Sequence, residues 1–299
     1  MGKLSTLSSP YRSVQIFLTS LVLLGSLVFA WASTTVDTAN RYAYGANLGW
    51  MDWRGDNVNG AVIGEYVCSG YIYSANVGWI NLGGGSPANG IYYQNVSASD
   101  FGVNQDGLGN LRGYGYGANI GWINFENTGA PKINMITGLM SGYAWSANCG
   151  WISLSNTVAY VQTDSIQPGA DSNADGIPDA WELQNFGTIS INVNADPDHD
   201  GMSNLQEYEA GTDPNNAASR FYITAETFAH GGTNTTLTWS SVPTRYYSIQ
   251  KTPSLSSPVW SDSGLGLITP TGSSTVEGFT DTNAPIRFYR VQAIRPLTP

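Results

Sequence analysis

The feature that most constrains this sequence is a twelve-residue pattern that occurs four times between residues 42 and 154. Its copies are YAYGANLGWMDW from Tyr42, YIYSANVGWINL from Tyr71, YGYGANIGWINF from Tyr114 and YAWSANCGWISL from Tyr143. The tryptophans that the copies share stand at 50, 79, 122 and 151, which gives spacings of 29, 43 and 29 residues. Repetition at this period predicts an array of supersecondary units.

Each copy has the alternation of a β-hairpin. In the second copy Tyr71 and Tyr73 share one strand face, whereas Ile72 and Ser74 take the other. The Ala-Asn-x-Gly stretch that follows supplies residues that tolerate a positive φ, as a tight connection requires. After the turn, Trp and Asn lie on one face, and Ile with Leu or Phe on the other. We therefore predict that the Ile, Leu and Phe side chains form a core.

The face that carries the Tyr and Trp side chains allows two interpretations. The occurrence of these rings in all four copies favours the first, in which they fill the core of a small β-repeat domain. The second is a solvent-facing surface on which sugar rings stack while amides bind hydroxyl groups. The candidate stacking residues are Tyr71, Tyr73, Trp79, Tyr114, Tyr116, Trp122, Tyr143, Trp145 and Trp151.

Two later segments match the calcium-loop pattern D-x-[DN]-x-[DN]-G-x5-E. They run from Asp171 to Glu182 and, 25 residues further on, from Asp196 to Glu207. Ca²⁺ takes about six to eight oxygen ligands, and the Gly at position 6 permits the sharp turn around it. We expect two Ca²⁺ sites, with ligands at positions 1, 3, 5, 7, 9 and 12: Asp171, Asn173, Asp175, Ile177 (carbonyl), Asp179 and Glu182, then Asp196, Asp198, Asp200, Met202 (carbonyl), Asn204 and Glu207.

A helix is expected after each loop. Pro178 suits the first turn of DAWELQNF, and Gly187 its end. Ser203 and Gln206 form a capping-box pattern at the start of NLQEYEA, with Gly211 after it. IQPGA precedes the first loop and breaks any entering helix. The two loop–helix segments therefore predict structural calcium sites that order an acidic linker, and not a calcium sensor that opens a binding groove.

The segment DSNADGIPDAWE, followed by DPDHDGMSNLQEYEAGTDP, resembles the calcium linker repeats of secreted bacterial multidomain proteins. These are similar to thrombospondin type 3 repeats and to the loop–helix of dockerins. The resemblance covers roughly residues 170–215 and implies calcium at the loop positions given above, with Asp213 as an auxiliary carboxylate. The segment is internal and has no cohesin-recognition pattern, which argues against a cellulosome role.

The last segment has the pattern of seven short strands: FYITAETF, TTLTWSS, RYYSIQK, PVWSDS, GLITP, STVEGFT and RFYRVQAI. Such strands predict a β-sandwich of immunoglobulin-like or fibronectin III-like kind. LTWSSVPTRYYSIQKT with FTDTNAPIRFYRVQAI also resembles the immunoglobulin-like module that often follows such linkers, which places Trp239 in the core. The chain is thus predicted to be mainly β, with a hairpin-repeat domain (33–165), a calcium loop–helix linker (166–218) and a sandwich (219–299).

Residues 1–32 have the pattern of an export signal. Lys3 and Arg12 precede an apolar run from Val14 to Trp31, and Ala30-Trp31-Ala32 supplies the small residues that a signal peptidase favours. Because the run is long, an uncleaved membrane anchor is the alternative. We expect cleavage after Ala32 and a secreted or cell-surface location.

The charge of the chain limits the classes of partner that it can bind. Acidic residues outnumber basic ones 22 to 12, which argues against nucleic acid or an anionic membrane surface as partner. Membrane contact is expected only through an uncleaved N-terminal signal.

Export would place Cys68 and Cys149 in an oxidising compartment, where they allow one intramolecular disulfide. Two buried free thiols are the alternative.

The sequence has no recognisable catalytic motif. His199 and His230 lack the neighbours of a zinc site or a Ser-His-Asp arrangement. A glycosidase pair such as Glu65 with Asp100 or Asp52 requires no local motif and stays open. We predict a non-catalytic, calcium-stabilised structural or adhesion protein with an extracellular protein or polysaccharide as partner. A carbohydrate-binding protein is the alternative, and a polysaccharide hydrolase is the weaker one.

Overall fold

The structure, a computed structural model, describes residues 34–55, 58–229, 234–281 and 288–298. These residues form β-strands, two short α-helices and one 3-10 turn at Asn127–Gly129, so the predicted mainly-β class is confirmed. The predicted signal peptide and His230 lie outside the described residues. Within the described ranges, no helix has the length and hydropathy needed to cross a bilayer.

Each sequence repeat forms an antiparallel hairpin. The four hairpins are β1 (Val36–Gly45) with β2 (Gly49–Asp52), β4 (Cys68–Ser74) with β5 (Gly78–Gly84), β7 (Leu111–Gly117) with β8 (Gly121–Asn124), and β11 (Tyr143–Ser146) with β12 (Gly150–Ser153). Short strands accompany them: β3 (Val62–Ile63), β6 (Val103–Gln105), β9 (Lys132–Ile133), β10 (Met140–Ser141) and β13 (Val161–Thr163). The predicted hairpin repeat is therefore confirmed.

The four hairpins close into a single ring of eight strands. Neighbouring hairpins pair antiparallel through β2–β4, β5–β7 and β8–β11, and β12 pairs with β1. The seams share one register, in which the polar residue of one hairpin faces the second aromatic residue of the next, as Asn81 faces Tyr116. Because the ring is closed, its eight strands are paired on both sides, and no edge of the ring is left open to another chain.

The interior of the closed sheet is apolar. Ile80, Ile123 and Ile152 come from equivalent positions of three hairpins and are all buried. Trp53 and Phe125 pack edge to face beside them, with ring centroids 6.2 Å apart. Full burial of one such side chain contributes roughly 1.5–3 kcal/mol. The predicted core of Ile, Leu and Phe side chains is therefore confirmed.

A ring of side-chain hydrogen bonds joins the four hairpin turns. Each turn Asn donates its Nδ2 to the carbonyl of the residue at the x position of the neighbouring Ala-Asn-x-Gly turn. The bonds run from Asn47 to Cys149 (3.1 Å), Asn76 to Leu48 (2.8 Å), Asn119 to Val77 (3.0 Å) and Asn148 to Ile120 (3.0 Å). The Gly that follows has a left-handed backbone, as at Gly49 with φ of 74°, and a Cβ there would lie 3.0 Å from the Asn76 Nδ2. The repeated Asn and Gly therefore serve both the turn and the contact between hairpins.

The predicted disulfide between Cys68 and Cys149 is wrong, because both are buried free thiols. Cys68 begins β4 in the second hairpin, whereas Cys149 lies in the turn of the fourth, and another hairpin separates these two on either side of the ring. Cys149 takes the turn position of Leu48 and Ile120 in other copies and joins the same apolar core. Burial raises the pKa of the Cys68 thiol to about 12, so it stays protonated.

Helices α1 (Asp179–Phe186) and α2 (Asn204–Ala210) begin at position 9 of the two loops and continue beyond them, over the predicted stretches DAWELQNF and NLQEYEA. Gly187 and Gly211 end them in the left-handed conformation. At the start of α2, the Ser203 side chain accepts a hydrogen bond from the Gln206 backbone, and the Gln206 side chain accepts one from the Ser203 backbone at 2.8 Å. This reciprocal cap confirms the predicted capping box.

The C-terminal segment forms two three-stranded antiparallel sheets around one core. Its strands are β14 (Ile223–Ala229), β15 (Asn234–Ser240), β16 (Tyr246–Thr252), β17 (Ser261–Asp262), β18 (Ser274–Thr280) and β19 (Phe288–Ile294), in the orders β14-β15-β18 and β17-β16-β19. GLITP makes only a bridge from Ile268 to Tyr247, because Pro270 lacks a donor for a longer ladder. Trp239 is fully buried in the core, as predicted.

Replacing Asn76 by Ala should lower the free energy of unfolding by about 1 kcal/mol, because it removes one bond between turns. Gly49→Ala should cost more, since it places a Cβ on a left-handed backbone beside Asn76. Denaturant unfolding in calcium measures both changes. Asn194→Ala, at an exposed loop position, is the control. Unchanged stability of Asn76→Ala would contradict a structural role of the ring.

Candidate calcium site and aromatic surface

The two predicted calcium loops share one backbone conformation. Position 4 is left-handed in both, with φ of 57° at Ala174 and 63° at His199, and position 6 has φ of 96° at Gly176 and 95° at Gly201. Both position-4 side chains are exposed, so His199 points away from the loop centre. The same unusual backbone at two places 25 residues apart indicates that both loops wrap the same kind of centre.

The position-1 aspartate holds each loop in its wrapped shape. Its two carboxylate oxygens accept the backbone N–H groups of positions 5 and 6 at 3.0–3.2 Å. These bonds run from Asp175 and Gly176 to Asp171, and from Asp200 and Gly201 to Asp196. The position-5 carboxylate in turn accepts the N–H of position 7, as Asp200 does from Met202 at 2.7 Å. The backbone therefore holds the acidic side chains around one point.

The second loop has the donor set of a hard cation. Carboxylate oxygens of Asp196, Asp198 and Asp200 lie within 4.8 Å of one another. Within the described residues, four buried oxygens of this loop have no hydrogen-bond partner: Asp198 Oδ2, Asp200 Oδ2, Asn204 Oδ1 and Glu207 Oε2. They belong to positions 3, 5, 9 and 12, which are ligand positions of the loop pattern. Buried oxygens without partners are costly, so these residues fit a bound Ca²⁺.

Burial and neighbouring negative charges make the Glu207 carboxylate unfavourable without a cation. Its side chain is fully buried. Burial raises the pKa of Glu207 to about 7, and the charges of Asp198 and Asp200 add to this rise. A divalent cation among these groups favours the carboxylate form and offsets both effects. Bound calcium would therefore turn the unfavourable burial of the Glu207 carboxylate into a stabilising interaction.

The first loop fits the ion less completely. Glu182 is buried, and its Oε2 has no partner among the described residues. However, Asn173 donates its Nδ2 to Asp175 Oδ2 at 2.9 Å, and Asp179 Oδ1 accepts the N–H of Ser172 at 2.9 Å. Binding would require Asn173 to turn its Oδ1 toward the ion. The second loop is therefore the better-formed candidate, and the number of sites stays a prediction.

The position-7 residues, whose carbonyls are the candidate ligands, anchor the loops through their side chains. Ile177 is buried in an apolar cluster with Trp181 of α1 and Tyr208 of α2. Met202 accepts the backbone N–H of Phe221 at its sulfur, at 3.1 Å. The order of each loop is thus coupled to the packing of the helices and of the segment that follows.

Tyr208 connects α2 to both flanking segments, which lie with it in the compact unit Ala32–Pro299. Its hydroxyl donates to Glu65 Oε2 at 3.0 Å. Arg295 lies over the Tyr208 ring, 4.8 Å from its centroid, and 3.9 Å from Glu65 Oε2. Arg245 donates to the backbone carbonyl of Tyr208. Burial raises the pKa of Glu65, whereas Arg245 and Arg295 oppose the rise.

The repeat aromatics lie on the outer face of the closed sheet. Between 39% and 49% of the surface of eight predicted stacking residues is exposed: Tyr71, Tyr73, Trp79, Tyr116, Trp122, Tyr143, Trp145 and Trp151. The ninth, Tyr114, is half-buried. The favoured expectation that these rings fill the core is therefore wrong. A closed sheet has one interior, and because strand residues alternate, the aliphatic side chains occupy it and the Tyr and Trp rings face outward.

Each repeat Trp packs against at least one Tyr of its own hairpin. Trp79 lies 4.9 Å from Tyr73 and 6.2 Å from Tyr71 between ring centroids, with the rings inclined at 56° and 81°. Trp122 has the same contacts with Tyr116 and Tyr114, at 4.9 and 6.3 Å. Edge-to-face packing leaves part of each ring exposed and limits its movement.

Further aromatic residues that were not among the predicted stacking residues belong to this surface. Tyr44 and Trp50 of the first copy are also exposed and 4.9 Å apart, and the repeat alignment already contained the signal for them. Phe101 packs edge-on against Trp122 at 5.1 Å. It lies in the insertion between the second and third copies, where no sequence pattern marks it.

Comparison with known proteins identifies one part of the chain. Residues 196–217 match the model of the bacterial TSP3 repeat, so the resemblance to calcium-binding thrombospondin type 3 repeats is confirmed for the second loop and α2. No curated protein and no solved structure matches the chain significantly.

Glu207→Gln should weaken calcium binding at the second loop at least about tenfold, because an amide cannot supply a two-oxygen carboxylate. Calorimetric titration should give two ions per chain for the parent and one for the variant. At calcium one hundred times the Kd, one site stabilises the fold by about 2.7 kcal/mol, which thermal unfolding with calcium and with EDTA measures. Glu226→Gln, exposed on β14, is the control. Two ions bound to Glu207→Gln with parental affinity would contradict the assignment.

Tyr208→Phe should lower the free energy of unfolding by about 1–3 kcal/mol, because the half-buried Glu65 carboxylate loses a hydrogen-bond donor. The double variant Tyr208→Phe with Glu65→Gln should lose less than the two single changes summed. Denaturant unfolding at neutral pH tests this, with the exposed Tyr222→Phe as control. Strictly additive losses would show that the two side chains do not interact.

Proposed function

We propose that this chain is a non-catalytic, calcium-stabilised structural or adhesion protein, exported to the cell surface or the extracellular matrix. The observation that carries the proposal is the outer face of the repeats, where ten Tyr and Trp rings of the four copies are exposed. Exposed apolar surface of this extent is typical of interaction sites. The face surrounds the whole closed sheet, which suits attachment to surrounding material.

Calcium supports this role by fixing the segment between the repeats and the sandwich. Glu207 of the second loop precedes Tyr208, which contacts Glu65 on one side and Arg295 on the other. An ion that orders the loop also orders this junction. Two bound ions, one in each loop, are part of the proposal, and the loop patterns and their shared backbone support them.

Export and the immunoglobulin-like identity of the last segment also belong to the proposal. The apolar run within residues 1–32 and its small residues before Ser33 support a cleaved signal. Two three-stranded sheets around Trp239 support the immunoglobulin-like assignment for residues 219–299. The TSP3 repeat at residues 196–217 lies between the hairpin repeats and the last segment, and it is a calcium linker of the kind that the sequence resembles.

The local contacts of the candidate acids support a non-catalytic role. Glu65 is engaged by Tyr208 at the junction. Asp100 accepts two backbone N–H groups at 3.1 Å, and Asp52 accepts two more and pairs with Arg41 at 3.4 Å. These three carboxylates therefore each have hydrogen-bond partners within the protein. The polysaccharide hydrolase is the least favoured function.

A carbohydrate-binding protein is the second candidate function. Exposure of the aromatic face favours it, because buried rings could not stack on sugars. It is compatible with the first candidate, since adhesion to a matrix can proceed through its polysaccharide.

The proposal is tested by fractionating producing cells and by binding the protein to isolated envelope and matrix fractions. We expect the protein in exported fractions with an N-terminus at Ser33, and saturable binding in millimolar calcium that EDTA weakens. Trp79→Ala with Trp151→Ala should reduce the binding, whereas Phe228→Ala, an exposed ring on β14, should not. A cytoplasmic protein that binds neither fraction would contradict the proposal.

A further inference from the structure

The register of the closed sheet arranges the outer residues in four equivalent rows. Each row crosses two neighbouring hairpins. The first hairpin contributes a Tyr and a polar residue, and the next hairpin contributes its second aromatic residue and its Trp. The rows are Tyr42-Asp52-Tyr73-Trp79, Tyr71-Asn81-Tyr116-Trp122, Tyr114-Asn124-Trp145-Trp151 and Tyr143-Ser153-Tyr44-Trp50. No single copy of the repeat contains a row, because every row needs two neighbouring hairpins.

Each row follows the curved outer face of the closed sheet across four neighbouring strands. Its members are directly opposite one another on adjacent strands, and strands lie about 4.8 Å apart, so a row is roughly 15 Å long when measured along the sheet. A short segment of a polysaccharide chain that bends with the surface can therefore contact one row. Three of its four side chains are aromatic, and exposed ring faces make C–H contacts with sugar rings.

The polar residue of two rows presents an oriented donor between the rings. Asn81 Oδ1 accepts the backbone N–H of Gly83 at 2.8 Å, and Asn124 Oδ1 accepts that of Glu126. These bonds fix both amides, and within the described residues neither Nδ2 group has a protein partner. Each half-buried amide can therefore donate to a hydroxyl group of a ligand that lies along the row.

The charge of the rows excludes ionic ligands. Three of the four rows contain no charged side chain. In the remaining row Asp52 is paired with Arg41 at 3.4 Å, and Arg41 lies over the Tyr42 ring. A phosphate- or carboxylate-bearing polymer needs Lys or Arg side chains along its path. The rows instead match an uncharged, hydroxyl-rich chain.

Repetition around the ring favours a polymer over a folded partner. Rows on opposite hairpins face opposite directions, so one protein surface cannot contact all four. A polysaccharide matrix offers the same unit in many places and can occupy every row. Several weak row contacts in one matrix then add through effective concentration.

We propose that the four rows bind segments of neutral polysaccharide, with sugar rings stacked on the aromatic residues and hydroxyl groups held by Asn81 and Asn124. This inference rests on the proposed adhesive function and names its ligand class. It also explains why the second aromatic residue, the Trp and the polar residue recur in every copy although none of them is in the core.

The test measures binding of the calcium-loaded protein to insoluble cellulose, to soluble neutral β-glucan and mannan, and to alginate as an anionic comparison. We expect saturable binding to at least one neutral polymer and none to alginate. Trp122→Ala should weaken binding about threefold to tenfold, since three rows remain. The variant with Trp50, Trp79, Trp122 and Trp151 all changed to Ala should lose at least about one hundredfold.

Three further variants distinguish ring stacking and hydrogen-bond donation from nonspecific adsorption. Trp122→Phe should retain more binding than Trp122→Leu, because only Phe keeps a ring face. Asn81→Asp keeps the acceptor for Gly83 but loses the donor, so it should weaken binding without lowering the melting temperature. Gln94→Glu, an exposed amide outside the rows, controls for the added charge.

Binding to alginate alone, or neutral-polymer binding that the row variants do not change, would overturn the inference. If the protein binds a matrix protein and no polysaccharide, the ligand class is wrong and the adhesive function stands. If it binds neither the polymers nor any envelope or matrix fraction, both proposals fail. Circular dichroism and melting temperatures of each variant ensure that lost binding is not lost folding.

Discussion

The hydrogen bonds between hairpin turns are the interaction on which the rest of the repeat segment depends. Each turn Asn binds the carbonyl of the neighbouring turn, and the fourth bond, from Asn47 to Cys149, returns to the start of the ring. A two-stranded hairpin is marginal alone, so four hairpins gain stability only when they pair side by side. Closure gives the sheet one apolar interior and one outer face, and this separation decides where every aliphatic and aromatic side chain lies. It also explains the free thiols, because Cys149 is needed as an apolar turn residue and lies on a different hairpin from Cys68.

A second constraint is the burial of acidic groups in the linker. Carboxylate oxygens of Asp196, Asp198 and Asp200 lie close together, and within the described residues Glu207 adds a buried oxygen without a hydrogen-bond partner. This arrangement is unfavourable for the protein alone and favourable around a divalent cation. Since α2 begins inside this loop, the cation and the helix are stabilised together. Tyr208 extends the effect to Glu65 in the repeat segment and Arg295 in the last strand. In the proposed function, calcium bound at this loop would therefore stiffen the linker.

Rigidity and surface chemistry then act together. The aromatic rows lie on strands that are paired on both sides, and each repeat Trp packs against one or two tyrosines of its own hairpin. The proposed stacking of a ligand on these rings would therefore cost little conformational entropy. Exposed rings normally carry an aggregation risk. Here the closed sheet offers no free edge within its ring, and polar residues such as Asn81 interrupt the apolar surface.

The sequence by itself determined the local structure: hairpins from period-2 alternation and Asn-x-Gly turns, two wrapped acidic loops from the spacing of Asp, Asn and Gly, and helix ends from Pro178, the Ser203–Gln206 box and Gly211. These follow from interactions within a few residues, which a local pattern records. Only the tertiary structure decided that the hairpins close into a ring, that the Tyr and Trp rings face solvent, and that the two cysteines stay apart. Period-2 alternation distinguishes two faces without saying which is inside, because that choice depends on contacts between residues as distant as Tyr44 and Ser153. The rows exist for the same reason, since each is assembled from two repeats that meet only in the folded chain.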